Sequence, residues 1–175
     1  PVDFGFLDFT RLADRRHFCE EELRLNRRLS GDLYQRVVAI GGTPDAPVLD
    51  GGGEPIEYAV QMREFPQSQL LDALQARGAL PVAVLEALAR RIARFHAETP
   101  AAADGHPQRQ PAALRAPMIQ NFRMIRPWLT DADDLRQLDR LEQQLAERYA
   151  RLEPVLAQRI RDDRVRECHG DLHLG

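Results

Sequence analysis

From Thr10 to about Leu29 apolar residues recur every three or four positions, with Phe18, Leu25 and Leu29 on one face. This spacing predicts an amphipathic helix. Thr10 stands where an N-cap is expected, a break is expected near Asp14, and Ser30-Gly31-Asp32 closes the segment. The period then shortens. "RVVAI" reads as a β-branched strand, and "GGTPDAPVLDGGGEP" as turn chemistry around a weak strand, hence a hairpin with Gly51 to Gly53 as its turn. "IEYAVQMREF" reads as the next strand, and the opening "VDFGFLDF" as a strand end and turn. After Pro66 the pattern stays helical. Leu70, Leu71 and Leu74 mark a short helix ended by Gly78. Pro81 suits the first position of the next helix, where Leu85, Leu88, Ile92, Phe95 and His96 form a core stripe. "TPAAADGHPQRQPAAL" reads as a loop. A long helix follows with Leu138, Leu141, Leu145, Tyr149 and Leu152, and Pro154 is expected to break or restart it. "RVREC" reads as a short strand leading into the final "HGDLHLG".

Strands come first and helices second, so the expected fold class is α+β, a small sheet-rich lobe followed by a helical one. No internal repeat is visible. The 175 residues amount to about one domain, or one and part of another. Cys19 and Cys168 lie far apart, which suits a reduced cytoplasmic chain better than a disulfide framework. With 24 basic and 27 acidic residues interleaved, no basic stripe points to nucleic acid. No apolar run approaches the ~20 residues that span a membrane. The absence of an initiator Met and of a polar tail suggests a piece of a longer protein.

The most chemically loaded stretch is "RECHGDLHLG", where His169, Asp171 and His173 fall within five residues. In one reading they are N, O and N ligands of a transition metal in a metal-dependent hydrolase. In another, Asp171 accepts the proton of a substrate hydroxyl during phosphoryl transfer and His169 holds the loop by hydrogen bonds. The plain alternative is an exposed loop with incidental histidines. Glu22 also stands out, because it falls inside the apolar stripe of the first helix, where a carboxylate is costly unless paired. Glu20 points away and Glu21 lies on the flank. The glycines at 51–53 lack the spacing of a phosphate-binding loop.

"HGDLHLG" resembles the catalytic loop of the aminoglycoside phosphotransferase and choline kinase branch of protein-kinase-like enzymes. The ordered set "VDFGFLDF…CEEELRLNRRL…YAVQMREFP…RECHGDLHLG" resembles the N-terminal domain of bacterial aminoglycoside phosphotransferase-like proteins, some of which carry a downstream P-loop ATP-binding domain. The resemblance implies a two-lobe kinase-like fold truncated at both ends, with residues 1–65 a partial N-lobe and 66–175 a partial C-lobe ending in the catalytic loop. It implies an ATP- and Mg²⁺-dependent phosphotransferase acting on a hydroxyl of a small molecule, with the fragment itself inactive. By the same resemblance, Asp171 and His169 are catalytic and Glu22 is the helix-C glutamate that pairs with the ATP-binding lysine. Met62 lies near the adenine, and the backbone of Glu64 and Phe65 bonds the base. "LARRIARFHAETP" resembles the first long C-lobe helix, with His96 expected in the core. Two departures stand out. Asp3-Phe4-Gly5 precedes everything and is not the kinase metal-binding motif, and the chain contains no lysine. The lysine, the motif Asn and the later metal-binding Asp are expected outside these residues. A kinase-like binding module without catalysis remains a further alternative.

Overall fold

A computed structural model describes residues 1–5 and 7–169. Among them the order is α1 (Leu12–Ser30), β1 (Tyr34–Thr43), β2 (Ala46–Leu49), β3 (Glu57–Met62), α2 (Leu71–Ala76), α3 (Val82–Glu98), α4 (Pro111–Ile125) and α5 (Ala132–Arg161), with short 3-10 turns between. The chain is thus α+β. It divides inside α3 into a first unit, residues 1–88 with His169, and a second unit, Ala89–Cys168.

The first unit is one helix on a three-stranded antiparallel sheet of order β2-β1-β3. The hairpin turn falls between Thr43 and Ala46. Gly42 has φ +82°, and a Cβ there would stand 2.4 Å from the Ala46 carbonyl oxygen, so this tight return requires glycine. The glycines at 51–53 are not that hairpin's turn. They form the wider connection from β2 to β3, because β3 pairs with β1 rather than with β2. A long central strand recruits both neighbours, which local turn chemistry does not reveal. Val38, in the middle of β1, is buried.

α1 lies along β3. Arg15 near its start reaches Glu57 at the start of β3. Arg27, three turns later, reaches the carbonyls of Tyr34 and Gln35, and Tyr34 is the register partner of Met62 at the end of β3. Twelve residues of helix rise about 18 Å and five steps of strand about 17 Å, so the two run alongside with matched lengths. The helix is unbroken at Asp14. Its N-cap is Arg11, without a side-chain cap. Thr10 does not cap it, because the Thr10 N–H and hydroxyl both donate to Asp8 Oδ1, at 2.8 and 2.6 Å, in the preceding turn. Gly31, at φ +61°, ends the helix by adopting the left-handed conformation that other residues resist.

In the second unit α4 and α5 form a helical hairpin. α4 begins at Pro111, inside the expected loop, since proline is tolerated in a first helical turn. Asp131 caps α5, accepting from the N–H groups of Asp133 and Asp134. α5 then runs 30 residues straight through Pro154. The capped first turn and the long ladder outlast the one bond that Pro154 cannot donate. Leu138 and Tyr149 are buried on its inner face, while Leu141 and Leu152 are exposed at 48% and 54%. The stripe in α3 is likewise only half covered, and His96 is exposed rather than in the core. "RVREC" is not a strand but a single bridge, Arg166 to Ala101. No helix among the described residues is long and apolar enough to cross a membrane.

Candidate functional site

Glu22 is exposed on α1, and its carboxylate has no hydrogen bond or ion pair among the described residues. Its neighbours on the helix are paired locally, Glu20 with Arg16 at 2.7 Å and Glu21 with Arg24 at 2.7 Å. Glu22 still has an electrostatic address. Burial pushes the Tyr34 phenol up, and the Glu22 charge pushes it further. Burial also raises the Cys19 thiol, with Glu22, Glu57 and Glu20 adding to it. The Glu22 charge thus reaches the phenol of Tyr34, the first residue of β1 and the register partner of Met62.

Past Met62 the chain leaves the sheet. The Arg63 N–H still donates to Leu33, at 2.8 Å, and Arg63 pairs with Asp32 at 2.7 Å. The backbone groups of Glu64 and Phe65 then make no hydrogen bond among the described residues. Glu22, Met62, Glu64 and Phe65 all belong to the first unit. His169 is exposed. Asp171 and His173 lie outside the described residues. Among the described residues no group of three or more His, Cys, Asp or Glu side chains could hold a metal ion.

No family model matches the chain, and no solved structure matches it. It does have relatives. The chain is 27% identical over 173 residues to an uncharacterized protein of Mycobacterium bovis, Mb2027c, and to one of Mycobacterium tuberculosis, Rv2004c. Each match takes in 98% of this chain and 33% of the relative, so the chain spans about a third of the length of these curated relatives.

Several residues that organise the structure left little trace in the sequence pattern. Arg15 donates its Nε to both oxygens of Glu57, at 2.9 and 2.8 Å, and its Nη1 to the carbonyls of Phe9 and Thr10. Burial alone would raise the Glu57 carboxyl. The hydrogen bonds from Arg15 and the Tyr58 N–H, with the Arg15 charge, outweigh it and hold the group below its usual range. In the second unit, Arg109 donates to the carbonyls of Ala102 and Ile160 and pairs with Asp163 at 2.8 Å. Between α4 and α5 a groove of about 590 Å³ is lined by Arg115, Arg123, Tyr149 and alanines. Arg115 lies over the Tyr149 ring at 5.4 Å, and its Nε is closed off from water without a hydrogen-bond partner. This groove includes none of the candidate site residues, although Tyr149 belongs to the apolar stripe of α5.

Proposed function

We propose that this chain is part of an ATP-dependent phosphotransferase that acts on a hydroxyl of a small molecule. The observation that carries the reading is the convergence in the first unit. An unpaired carboxylate, Glu22, influences the Tyr34 phenol, and Tyr34 is the register partner of Met62, which leads into the unpaired backbone of Glu64 and Phe65. A helix lying on an antiparallel pair whose last strand runs into an open backbone segment is the arrangement that the kinase-like resemblance calls for.

Bound Mg·ATP supplies the phosphoryl group. The backbone of Glu64 and Phe65 would bond the adenine edge, Met62 would lie near the adenine, and Glu22 would pair with the ATP-binding lysine. Asp171 accepts the proton of the acceptor hydroxyl, and His169 supports the loop that presents it.

The test uses the full-length protein with γ-labelled Mg·ATP and a panel of amino sugars, amino alcohols and polyols. Transfer of label to a hydroxyl compound is expected. Asp171→Asn should lower kcat by about 10²–10⁴-fold with ATP affinity unchanged, the usual worth of a positioned proton acceptor. Loss of a bound transition metal in both Asp171→Asn and His173→Ala would instead establish the metal-hydrolase reading.

A further inference from the structure

Between α4 and α5 small side chains stand where larger ones would fill the space. Ala112 and Ala116 on α4, and Ala146 and Ala150 on α5, line the groove of about 590 Å³. Residues four apart share a helix face, so each helix brings a pair of alanines to the trough, and longer side chains wall it. The volume is that of a small-molecule site.

The groove holds a guanidinium whose hydrogen-bonding capacity is unspent. Arg115 is stacked over the Tyr149 ring at 5.4 Å. That ring is itself fixed, because Tyr149 is buried and its hydroxyl donates to the Pro111 carbonyl. The Arg115 Nε is closed off from water without a partner, and the guanidinium makes no hydrogen bond or ion pair with the described residues. Removing a cation from water is costly, and the face of an aromatic ring offsets only part of that cost. An anion bonded to the guanidinium would offset the rest.

The other charges in the groove set the sign of its ligand. Arg126 is spent on Asp139 and Glu142, at 2.8 and 3.0 Å, and Glu142, which lines the groove, is thereby neutralised. Arg123 and Glu153 also line the groove and have no partner among the described residues. Two open cations, Arg115 and Arg123, are thus set against one open carboxylate. On α4 Arg115, Ile119 and Arg123 follow one another at four-residue spacing, so apolar surface lies between the two cations. A polyanion such as nucleic acid would meet Asp133 and Asp134 in the first turn of α5, whereas one anionic group suits one fixed guanidinium.

We propose that the α4–α5 groove is a binding site for a small organic anion, a carboxylate or a phosphate ester joined to an apolar body. The anionic head takes the free Nη donors of Arg115, the body lies over Ile119 and the alanines, and Arg123 adds attraction. The proposal does not depend on the phosphotransferase reading, because every residue it uses lies in the second unit.

The probes are phenyl phosphate and benzoate, with inorganic phosphate and benzyl alcohol as controls for the head and the body. Titration calorimetry of the full-length protein at low salt should give a Kd of about 1 mM or tighter for at least one of the two aryl anions. The tighter of the two tells a phosphate ester from a carboxylate, and both controls should bind more weakly. Arg115→Met should weaken binding about 10- to 100-fold, the usual worth of a charge-assisted hydrogen bond. Arg123→Gln should weaken it about two- to fivefold, as for an exposed charge, and that difference should fade as salt is raised. Arg136 pairs with Asp133 and does not line the groove, so Arg136→Gln should bind like the parent. Ala116→Phe keeps both cations and fills the groove, so it should abolish binding, and it decides the matter should Arg115→Met not fold. No saturable binding of either aryl anion would overturn the proposal. So would parent-like affinity in Arg115→Met or Ala116→Phe, equal loss in Arg136→Gln, or inorganic phosphate binding as tightly as the aryl anions.

Discussion

Both units are latched by an arginine, and the two latches differ in kind. Arg15 in the first unit closes on a carboxylate, Glu57, as well as on the carbonyls of Phe9 and Thr10. Arg166 in the second unit closes on backbone carbonyls. The first latch contains a group that titrates, and the second does not. The apolar support also differs. In the first unit a helix lies along a sheet whose central strand buries Val38, whereas in the second the buried apolar side chains, Leu138 and Tyr149, both belong to α5. Thin apolar cores leave more of the work to directional bonds, and such bonds respond to specific substitutions rather than to volume alone.

The largest expected stability effect lies in the second unit. Tyr149 is buried, and its hydroxyl donates to the Pro111 carbonyl at the start of α4. Tyr149→Ala should cost about 3 kcal/mol, as for large aromatic truncations, while Tyr149→Phe should cost about 1 kcal/mol for the lost hydrogen bond. Hydrogen exchange should quicken across α4 and α5 in Tyr149→Ala and leave α1 unaltered. Equal loosening of α1 would erase the distinction between the units.

A smaller effect separates the latches by pH. The Glu57 carboxyl is held below its usual range in the folded chain. Its contribution is therefore present at neutral pH and above, and is lost as pH falls through the depressed folded value. The Glu57 side chain is 41% exposed, so solvent screening keeps Glu57→Gln to roughly 0.5–1 kcal/mol at pH 7. Denaturation midpoints of parent and variant should converge in acid. A gap that persists there would mean that the loss is one of packing and not of charge.

The smallest effect sharpens the address of Glu22. Glu22→Gln removes a charge that raises the Tyr34 phenol, so spectrophotometric titration should show Tyr34 ionising at lower pH in the variant. Stability should change by no more than about 0.5 kcal/mol. An unmoved Tyr34 would take Glu22 away from the strand end at Met62, and with it the argument for a nucleotide site in the first unit.

Much of the first unit was legible along the chain. The 3.6-residue spacing of Phe18, Leu25 and Leu29 announced α1, and Ser30-Gly31-Asp32 its end. The β-branched run from Arg36 and the "EYAVQM" segment announced β1 and β3. Periodicity is a local property, and it can be read wherever one face of an element meets a core. The position of Glu22 on its helix was equally readable. That its charge reaches the Tyr34 phenol was not, because this depends on how far along β3 the helix slides.

The errors also have local causes. Thr10 has the chemistry of a cap, but Asp8 offers its hydroxyl a nearer partner. Pro154 has the chemistry of a break, but one missing bond in a 30-residue helix is outweighed by its neighbours. Which arginines matter was beyond the pattern altogether. Twenty-four arginines look alike in one dimension. Arg15 meets a carboxylate 42 positions away, and Arg166 meets carbonyls 67 to 70 positions away. Sequence determined where helices and strands could form and which residues carried reactive groups. The pairing of distant cations with particular carbonyls and carboxylates came from tertiary structure, because a hydrogen bond depends on distance and direction that chain order does not encode.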